Sequence, residues 1–371
     1  MRIVTVVGAR PQFVKAAVVS RLLRARAGIT EILVHTGQHY DAEMSELFFS
    51  ELELPSPEVN LGIGSAAHGA QTGRMLQAVE RVLLAEKPDA TLVYGDTNST
   101  LAGALAAAKL HIPVAHVEAG MRSFNRRMPE EINRVVTDHV SELLFASTPA
   151  AVAHLRNEGI PQEGIHLVGD VMYDAARYYA DRAEKKQQAL SVLGLQAKQY
   201  ILATVHRAEN TDEGDRLRAI VGGLARLAGL MPVVLPLHPR TAKALQREGL
   251  VQGLPAQVKI IPPASYLEMI ELEKNACVIA TDSGGVQKEA FFYRVPCVTL
   301  RDETEWTELV EIGANRVCSP RGSEVIERAV RAAISDGFPA QATGNLYGNG
   351  KAAQRIVAIL TGRPSGTTET E

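Results

Sequence analysis

Three carboxylates are placed where a protein can use them for chemistry. Asp96 follows the apolar run Thr91 to Tyr94, Glu118 follows Val114 to Val117, and one of Glu130 or Glu131 opens a helical pattern soon after. In an open parallel sheet the turns at the carboxyl ends of strands are where ligands bind. The stretch therefore gathers three acids around one crevice. A carboxyl group acts as general acid or base only within hydrogen-bond reach of its proton, and close carboxylates push one another's pKa apart. Singly, Asp96, Glu118 and Glu130 read equally well as helix caps or salt-bridge partners. Jointly, facing a nucleotide site, they suggest proton transfer on a sugar.

The second chemical signal is IATDSGGVQKEA, in which an apolar strand enters Asp282-Ser283-Gly284-Gly285 and then a helix. Glycines let backbone approach an anion, and the free N–H groups and dipole of the helix amino terminus favour phosphate. A plain turn capped by Ser283 is the competing reading. Glu289 lies about one turn further on, where a carboxylate can accept bonds from ribose hydroxyls. Two more strand ends in this half, Val205-His206-Arg207 and Leu237-His238-Pro239-Arg240, pair an imidazole with a guanidinium. A lone histidine at a strand end is more often structural, but two such pairs raise the case for a site. Arg10, Lys15 and Arg134 add cations from the first half, so cations for a diphosphate would stand opposite the carboxylates.

Elements must carry these residues to one place, and the apolar pattern supplies them. Strand-like runs at Ile3 to Val7, Glu31 to His35, Thr91 to Tyr94, Val114 to Val117 and Leu143 to Ala146 alternate with helical patterns. Those helices include one through Phe13, Ala17 and Leu22, one around Met44 to Ser50, one from Gln71 to Glu86 and one from Glu130 to Ser141. After Leu167-Val168-Gly169-Asp170 comes a polar, helix-rich segment, whose charged run Asp181 to Gln188 reads as a solvated face. The alternation restarts at Tyr200 to Val205, Pro232 to Leu237, Val258 to Ile261, Ala276 to Ala280 and Pro296 to Leu300. Such alternation implies α/β architecture with doubly wound parallel sheets. Two domains are expected, 1–168 and 169–349, with a last helix at about 350–361 packing back on the first.

Composition narrows the class. The 371 residues exceed what one core usually supports, and 46% hydrophobic with 22% charged residues is ordinary for a soluble globular protein. A net charge of -3 argues against a general nucleic-acid surface. No apolar run approaches the roughly 18 residues of a membrane span, and MRIVTVVGARPQ lacks a signal-peptide cleavage pattern. A cytoplasmic enzyme or binding protein is expected. Cys277, Cys297 and Cys318 form no paired metal motif and read as buried thiols. Gly62, Gly64 and Gly69 have the wrong spacing for a dinucleotide fingerprint and read as a loop over a pocket. The terminal GRPSGTTETE reads as a frayed tail.

Taken together, GARPQFVK at 8–15, GDTNST at 95–100, HVEAGMR at 116–122, PEEINR at 129–134, HRAEN at 206–210 and TDSGGVQKEA at 281–290 resemble the non-hydrolysing UDP-N-acetylglucosamine 2-epimerases. The resemblance spans nearly the whole chain in order. It implies two Rossmann-like domains in the glycosyltransferase-B arrangement with an interdomain active-site cleft, usually in a homodimer. It also implies reversible inversion at C2 of a UDP-2-acetamido sugar, with no NAD and no essential metal. The matching motifs put forward Asp96, Glu118 and Glu130 as proton-transfer or sugar-orienting groups. They assign Lys15, Arg10 and His206 to the departing diphosphate, Ser283, Gly284 and Gly285 to its cradle, Glu289 to ribose, and Arg134 and His238 to substrate contact. Trp306 stands where typical members carry a ligand-contacting arginine. That spelling and the cluster Arg122, Arg126 and Arg127 resemble the sibling branch that epimerises UDP-2,3-diacetamido-2,3-dideoxyglucuronate, where arginines would meet a carboxylate; a solvated arginine turn is the other reading. Gln38-His39 resembles the family's allosteric region, with a departure at Tyr40-Asp41. A retaining glycosyltransferase of the same architecture is the alternative of another class.

Overall fold

The computed structural model describes residues 1–38, 49–186, 188–340 and 346–362. The expected helix around Met44, the His39 to Asp41 part of the allosteric-like segment and all but the start of the terminal tail lie outside them.

The first unit comprises Met1–Arg177 and the C-terminal helix. Its strands are β1 (Arg2–Val7), β2 (Thr30–His35), β3 (Val59–Asn60), β4 (Ala90–Tyr94), β5 (Val114–Ala119), β6 (Leu143–Ala146) and β7 (Ile165–Leu167). They form one parallel sheet in the order β3-β2-β1-β4-β5-β6-β7. Strands buried on both faces read as unbroken apolar runs, as β1 and β4 do. Val4, Val6, Val34 and Val93 pack against Ala104 and Ala107 of the helix Asn98–Lys109. The order reverses between β1 and β4, which puts the ends of these strands at the topological switch point.

Local chemistry fixes the turns there. Gln12 reaches back from the first turn of the helix Arg10–Arg24, and its Oε1 accepts the Gly8 and Ala9 N–H groups at 2.7 and 3.0 Å. Its Nε2 donates to Tyr94 O at 2.8 Å, tying that turn to the end of β4. Gly8 itself has no room for a side chain, since a Cβ would lie 2.1 Å from Ser99 Oγ and 2.2 Å from Thr36 Oγ1. Thr97 caps the helix after β4, accepting from the Thr100 N–H.

The second unit begins at Tyr178, within the helix Val171–Lys186. Its strands are β8 (Ile201–Thr204), β9 (Val233–Pro236), β10 (Val258–Ile261), β11 (Val278–Thr281), β12 (Cys297–Thr299) and β13 (Asn315–Val317). They form a second parallel sheet in the order β10-β9-β8-β11-β12-β13, again reversing beside its first strand. Ile201, Ala203, Val233, Val278 and Val298 pack under Ile326 and Val330 of the helix Ser323–Asp336. Cys297 and Cys318 are buried thiols and Cys277 is half-buried.

The C-terminal helix Ala352–Leu360 packs on the helix Arg10–Arg24. Arg355 Nη1 donates to Val168 O at 2.8 Å, and the Ala353 N–H donates to Asp174 at 2.8 Å. Among the described residues no helix is long and apolar enough to cross a membrane.

Candidate functional site

In the first unit the carboxylates sit at the ends of the adjacent strands β4 and β5. Gly95, at φ 64°, turns the chain out of β4 in the left-handed region that glycine adopts without strain. Glu118 takes φ 72°, beside an irregularity in the pairing of β5 with β6 between Val117 and Ala119. For a residue with a side chain this conformation costs about 1–3 kcal/mol and persists only where the surroundings over-determine it. Lys15, from the helix Arg10–Arg24, closes an ion pair with Glu118. A Cβ built on Gly95 would lie 3.4 Å from Lys15 Nζ and 3.5 Å from Glu118 Oε2, so the pair stands directly over the Gly95 turn.

Asp96 is gripped by Arg134, whose Nε and Nη2 both reach Asp96 Oδ2, at 2.9 and 2.5 Å. Asn133 Nδ2 adds a bond to Asp96 O at 2.9 Å. Both residues come from the helix Pro129–His139. That helix also sets its two glutamates in different surroundings. Glu131 is buried and accepts from Ser123 N, Ser123 Oγ and Phe124 N at 2.8–2.9 Å, with Arg134 Nη1 at 3.2 Å. Burial alone would raise its pKa, but these donors hold it below the usual carboxylate range. Glu130 is only half-buried, and among the described residues its carboxylate has no hydrogen-bond or ion-pair partner. Glu131 builds the loop while Glu130 stays available.

The arginine cluster is divided by the structure. Arg122 is buried, its Nε and Nη2 fork onto Glu158 at 2.7 Å each, and its Nη1 lies 2.7 Å from Asp138. Its guanidinium is consumed inside the unit, which removes it from any role in meeting a ligand carboxylate. Arg126 and Arg127 are exposed, and among the described residues neither guanidinium is ion-paired. Arg10, half-buried, opens the first helix.

In the second unit Asp282, fully buried at the end of β11, organises the site. It accepts the His206 N–H at 3.0 Å on both oxygens, the Arg207 N–H at 3.0 Å and Asn210 Nδ2 at 3.0 Å. Its Oδ1 also lies 3.3 Å from His206 Nδ1. Burial lowers the His206 pKa, with Arg207, Arg240 and Arg301 pushing the same way against Asp282. The imidazole is therefore neutral at neutral pH. His238 stacks near it, with ring centroids 5.5 Å apart, while its Nδ1 accepts the Arg240 N–H and caps the helix Pro239–Arg247.

Ser283 caps the helix Gly284–Phe292, its Oγ accepting from Val286 N at 3.5 Å. A Cβ on Gly284 would fall 2.6 Å from Glu305 Oε1, so that side chain would have to shift to admit it. Trp306 is buried: its Nε1 donates to Gly284 O at 2.9 Å and its ring lies 4.4 Å from Lys288 Nζ. The residue that replaces the expected arginine thus braces the glycine turn. Arg207 Nε is buried with no acceptor among the described residues, as expected beside a site made for an anion. Glu289 is buried, and burial pushes its pKa up to about 7 against the opposing charge of Lys288.

Sequence reading passed over His116, Asp138 and Asp282. The signals existed. His116 lies two residues before Glu118 at the end of one strand, and Arg134 and Asp138 are four apart on one helix, hence on one face.

A family profile described as UDP-N-acetylglucosamine 2-epimerase matches residues 21–361. The chain is 52% identical to UDP-2,3-diacetamido-2,3-dideoxy-D-glucuronate 2-epimerase of Pseudomonas aeruginosa over 97% of its length and 99% of the relative's. It is equally 52% identical, over the same shares, to a UDP-N-acetylglucosamine 2-epimerase homolog of Methanococcus maripaludis. Among solved structures, the UDP-N-acetylglucosamine 2-epimerase of Methanocaldococcus jannaschii, in complex with UDP-N-acetylglucosamine and UDP, superposes with a TM-score of 0.88. Its identity is 46%, covering 97% of this chain and 99% of that one. Sequence and fold agree over 97% of the chain, which belongs to the UDP-N-acetylglucosamine 2-epimerase family.

Proposed function

We propose that this protein is an isomerase that inverts C2 of a UDP-2-acetamido sugar, of the UDP-N-acetylglucosamine to UDP-N-acetylmannosamine type, by eliminating UDP and adding it back. The observation that carries the reading is the placement of Asp96 and Glu118 at the ends of adjacent strands, with Glu130, which has no partner among the described residues, on the neighbouring helix. C2 of such a sugar has no adjacent carbonyl, so simple deprotonation is slow. Departure of UDP from C1 builds oxocarbenium character that acidifies the C2 proton, and a 2-acetamidoglucal results. Return of UDP with protonation on the opposite face gives the epimer. Two faces need proton carriers, which is the task of the carboxylates. In the second unit the Ser283 to Gly285 turn and Arg207 supply N–H groups and positive charge for a diphosphate. Glu289 is assigned to ribose, and Lys15, Arg10 and the neutral His206 to the leaving group. We also propose a homodimer, testable by light scattering.

A second reading keeps the reaction and changes the sugar to UDP-2,3-diacetamido-2,3-dideoxyglucuronate. The exposed Arg126 and Arg127, which have no ion-pair partner among the described residues and lie a short way before Glu130 in the chain, favour it. The family match disfavours the glycosyltransferase alternative. NMR of purified protein with each sugar nucleotide, at equal concentration and without any acceptor, tests both points. Conversion of either to its C2 epimer supports the proposal, the faster one naming the substrate. Donor consumption only when an acceptor alcohol is added refutes it.

A further inference from the structure

His116 is fully buried in the middle of β5, two residues before Glu118, and each ring nitrogen meets an oxygen. Nδ1 lies 2.7 Å from Asp138 Oδ1 and Nε2 lies 2.7 Å from Gly95 O. A carbonyl oxygen cannot donate, so Nε2 carries a hydrogen. The Asp138 carboxyl decides what sits on Nδ1. Its Oδ2 already accepts the Gly120 N–H at 3.1 Å and stands 2.7 Å from Arg122 Nη1. Burial would raise the Asp138 pKa, yet the hydrogen bonds and charges of His116 and Arg122 hold it below the usual range. With the Gly120 N–H and Arg122 already at Oδ2, Asp138 meets the ring as an acceptor, so Nδ1 donates as well.

This group touches both turns that present the acids. Gly95 O belongs to the peptide whose nitrogen is that of Asp96, so the imidazole fixes the plane from which Asp96 departs. The Asp138 carboxylate, through the Gly120 N–H, pins the chain two residues beyond Glu118, which itself is held at φ 72°. Lys15 and Arg134 contact the carboxylate side chains, whereas His116 and Asp138 reach the two turns through backbone, at Gly95 O and the Gly120 N–H.

We infer that His116 is a buried imidazolium that acts as a positioning residue, locking the Gly95–Asp96 and Glu118–Gly120 turns in register through Gly95 O and Asp138. A doubly protonated ring is the one form that donates to both oxygens at once. Glutamine, of similar size, can donate to only one of them. The pair would then lose register while the phosphate-binding turn in the second unit keeps its structure.

The spectroscopic arm uses wild-type protein labelled with nitrogen-15 in histidine, the His116 signals being identified by their loss in His116→Gln. Both ring nitrogens should show the protonated signature, each with its own N–H proton. A nitrogen without a proton overturns the imidazolium. The kinetic arm rests on the proposed epimerisation and counts only molecules that bind UDP. His116→Gln and Asp138→Asn are expected to lower kcat per binding site about a hundred-fold, with UDP affinity within about twofold of wild type. A role limited to folding would reduce the number of binding sites and leave kcat per site unchanged, and that result refutes positioning. Should His116→Gln not fold, Asp138→Asn decides the kinetic arm. Wild type that epimerises no UDP-2-acetamido sugar defeats the functional reading alone, and the ring-nitrogen signals still decide the state of His116.

Discussion

Lys15 and Glu118 form an ion pair in which each side chain is only about a tenth exposed, and it joins the first helix of the chain to the strained end of β5. Removing one partner of a buried pair strands the other charge, typically at 3–5 kcal/mol. Lys15→Met is therefore expected to lower stability by about 3–5 kcal/mol and to abolish most activity. Glu118→Gln keeps a polar partner for the ammonium, so its stability should fall less while kcat drops about 10²–10⁴-fold. Urea unfolding beside steady-state rates separates the two. Equal stability losses from both substitutions would contradict the arrangement.

Arg134 grips Asp96 with two donors and Glu131 with a third. A lysine offers a point charge in place of a planar fork. Arg134→Lys should leave the protein folded and reduce kcat by roughly ten- to a hundred-fold, because Asp96 is no longer aimed. An unchanged kcat in that variant would show that the aim of Asp96 is immaterial.

Burial raises the Glu289 pKa to about 7, above its ordinary 4.5. The folded state thus prefers the neutral acid. Its contribution to stability is fully present below pH 4.5 and is lost as pH rises through 7, because the unfolded chain ionises first. Glu289→Gln removes that dependence. The variant should match wild type near pH 4.5 and exceed it at about pH 8 by on the order of 1–3 kcal/mol. Thermal unfolding at the two pH values checks the sign, and a variant less stable at high pH would reverse the assignment.

Arg122 and its two neighbours have opposite fates, so they should respond differently to substitution. Loss of Arg122 leaves Asp138 and Glu158 without their shared cation, and Arg122→Met should unfold more easily by about 3–5 kcal/mol. Replacing both Arg126 and Arg127 with alanine should leave stability within about 0.5 kcal/mol. If the glucuronate sugar is the substrate, the double variant should raise KM for it by about tenfold or more while sparing the neutral sugar. Identical KM changes for both sugars would remove these arginines from substrate choice.

The parallel architecture was legible because doubly buried strands read as unbroken β-branched runs. The strands Val59–Asn60, Ile165–Leu167 and Asn315–Val317 escaped, being too short to display any period. That Asp96, Glu118 and Ser283 lie at strand ends was legible because they stand at or within two residues of the end of such runs. Their partners were not. That Lys15 pairs with Glu118 depends on β1 lying beside β4, a fact of sheet order with no trace in local pattern. Arg122 among polar residues reads as a solvated turn, and only the distant Asp138 and Glu158 make its burial tolerable. The choice between Glu130 and Glu131 rested on which one faces Ser123 and Arg134, again a matter of tertiary placement.

The central claim is that the C2 proton leaves the sugar and is replaced from groups that exchange with water. Incubation of the substrate with the enzyme in deuterium oxide, followed by proton NMR of both epimers, measures this directly. The account requires deuterium at C2 of the product and, as the reaction reverses, of the recovered substrate. An epimer that retains its original C2 hydrogen would contradict it.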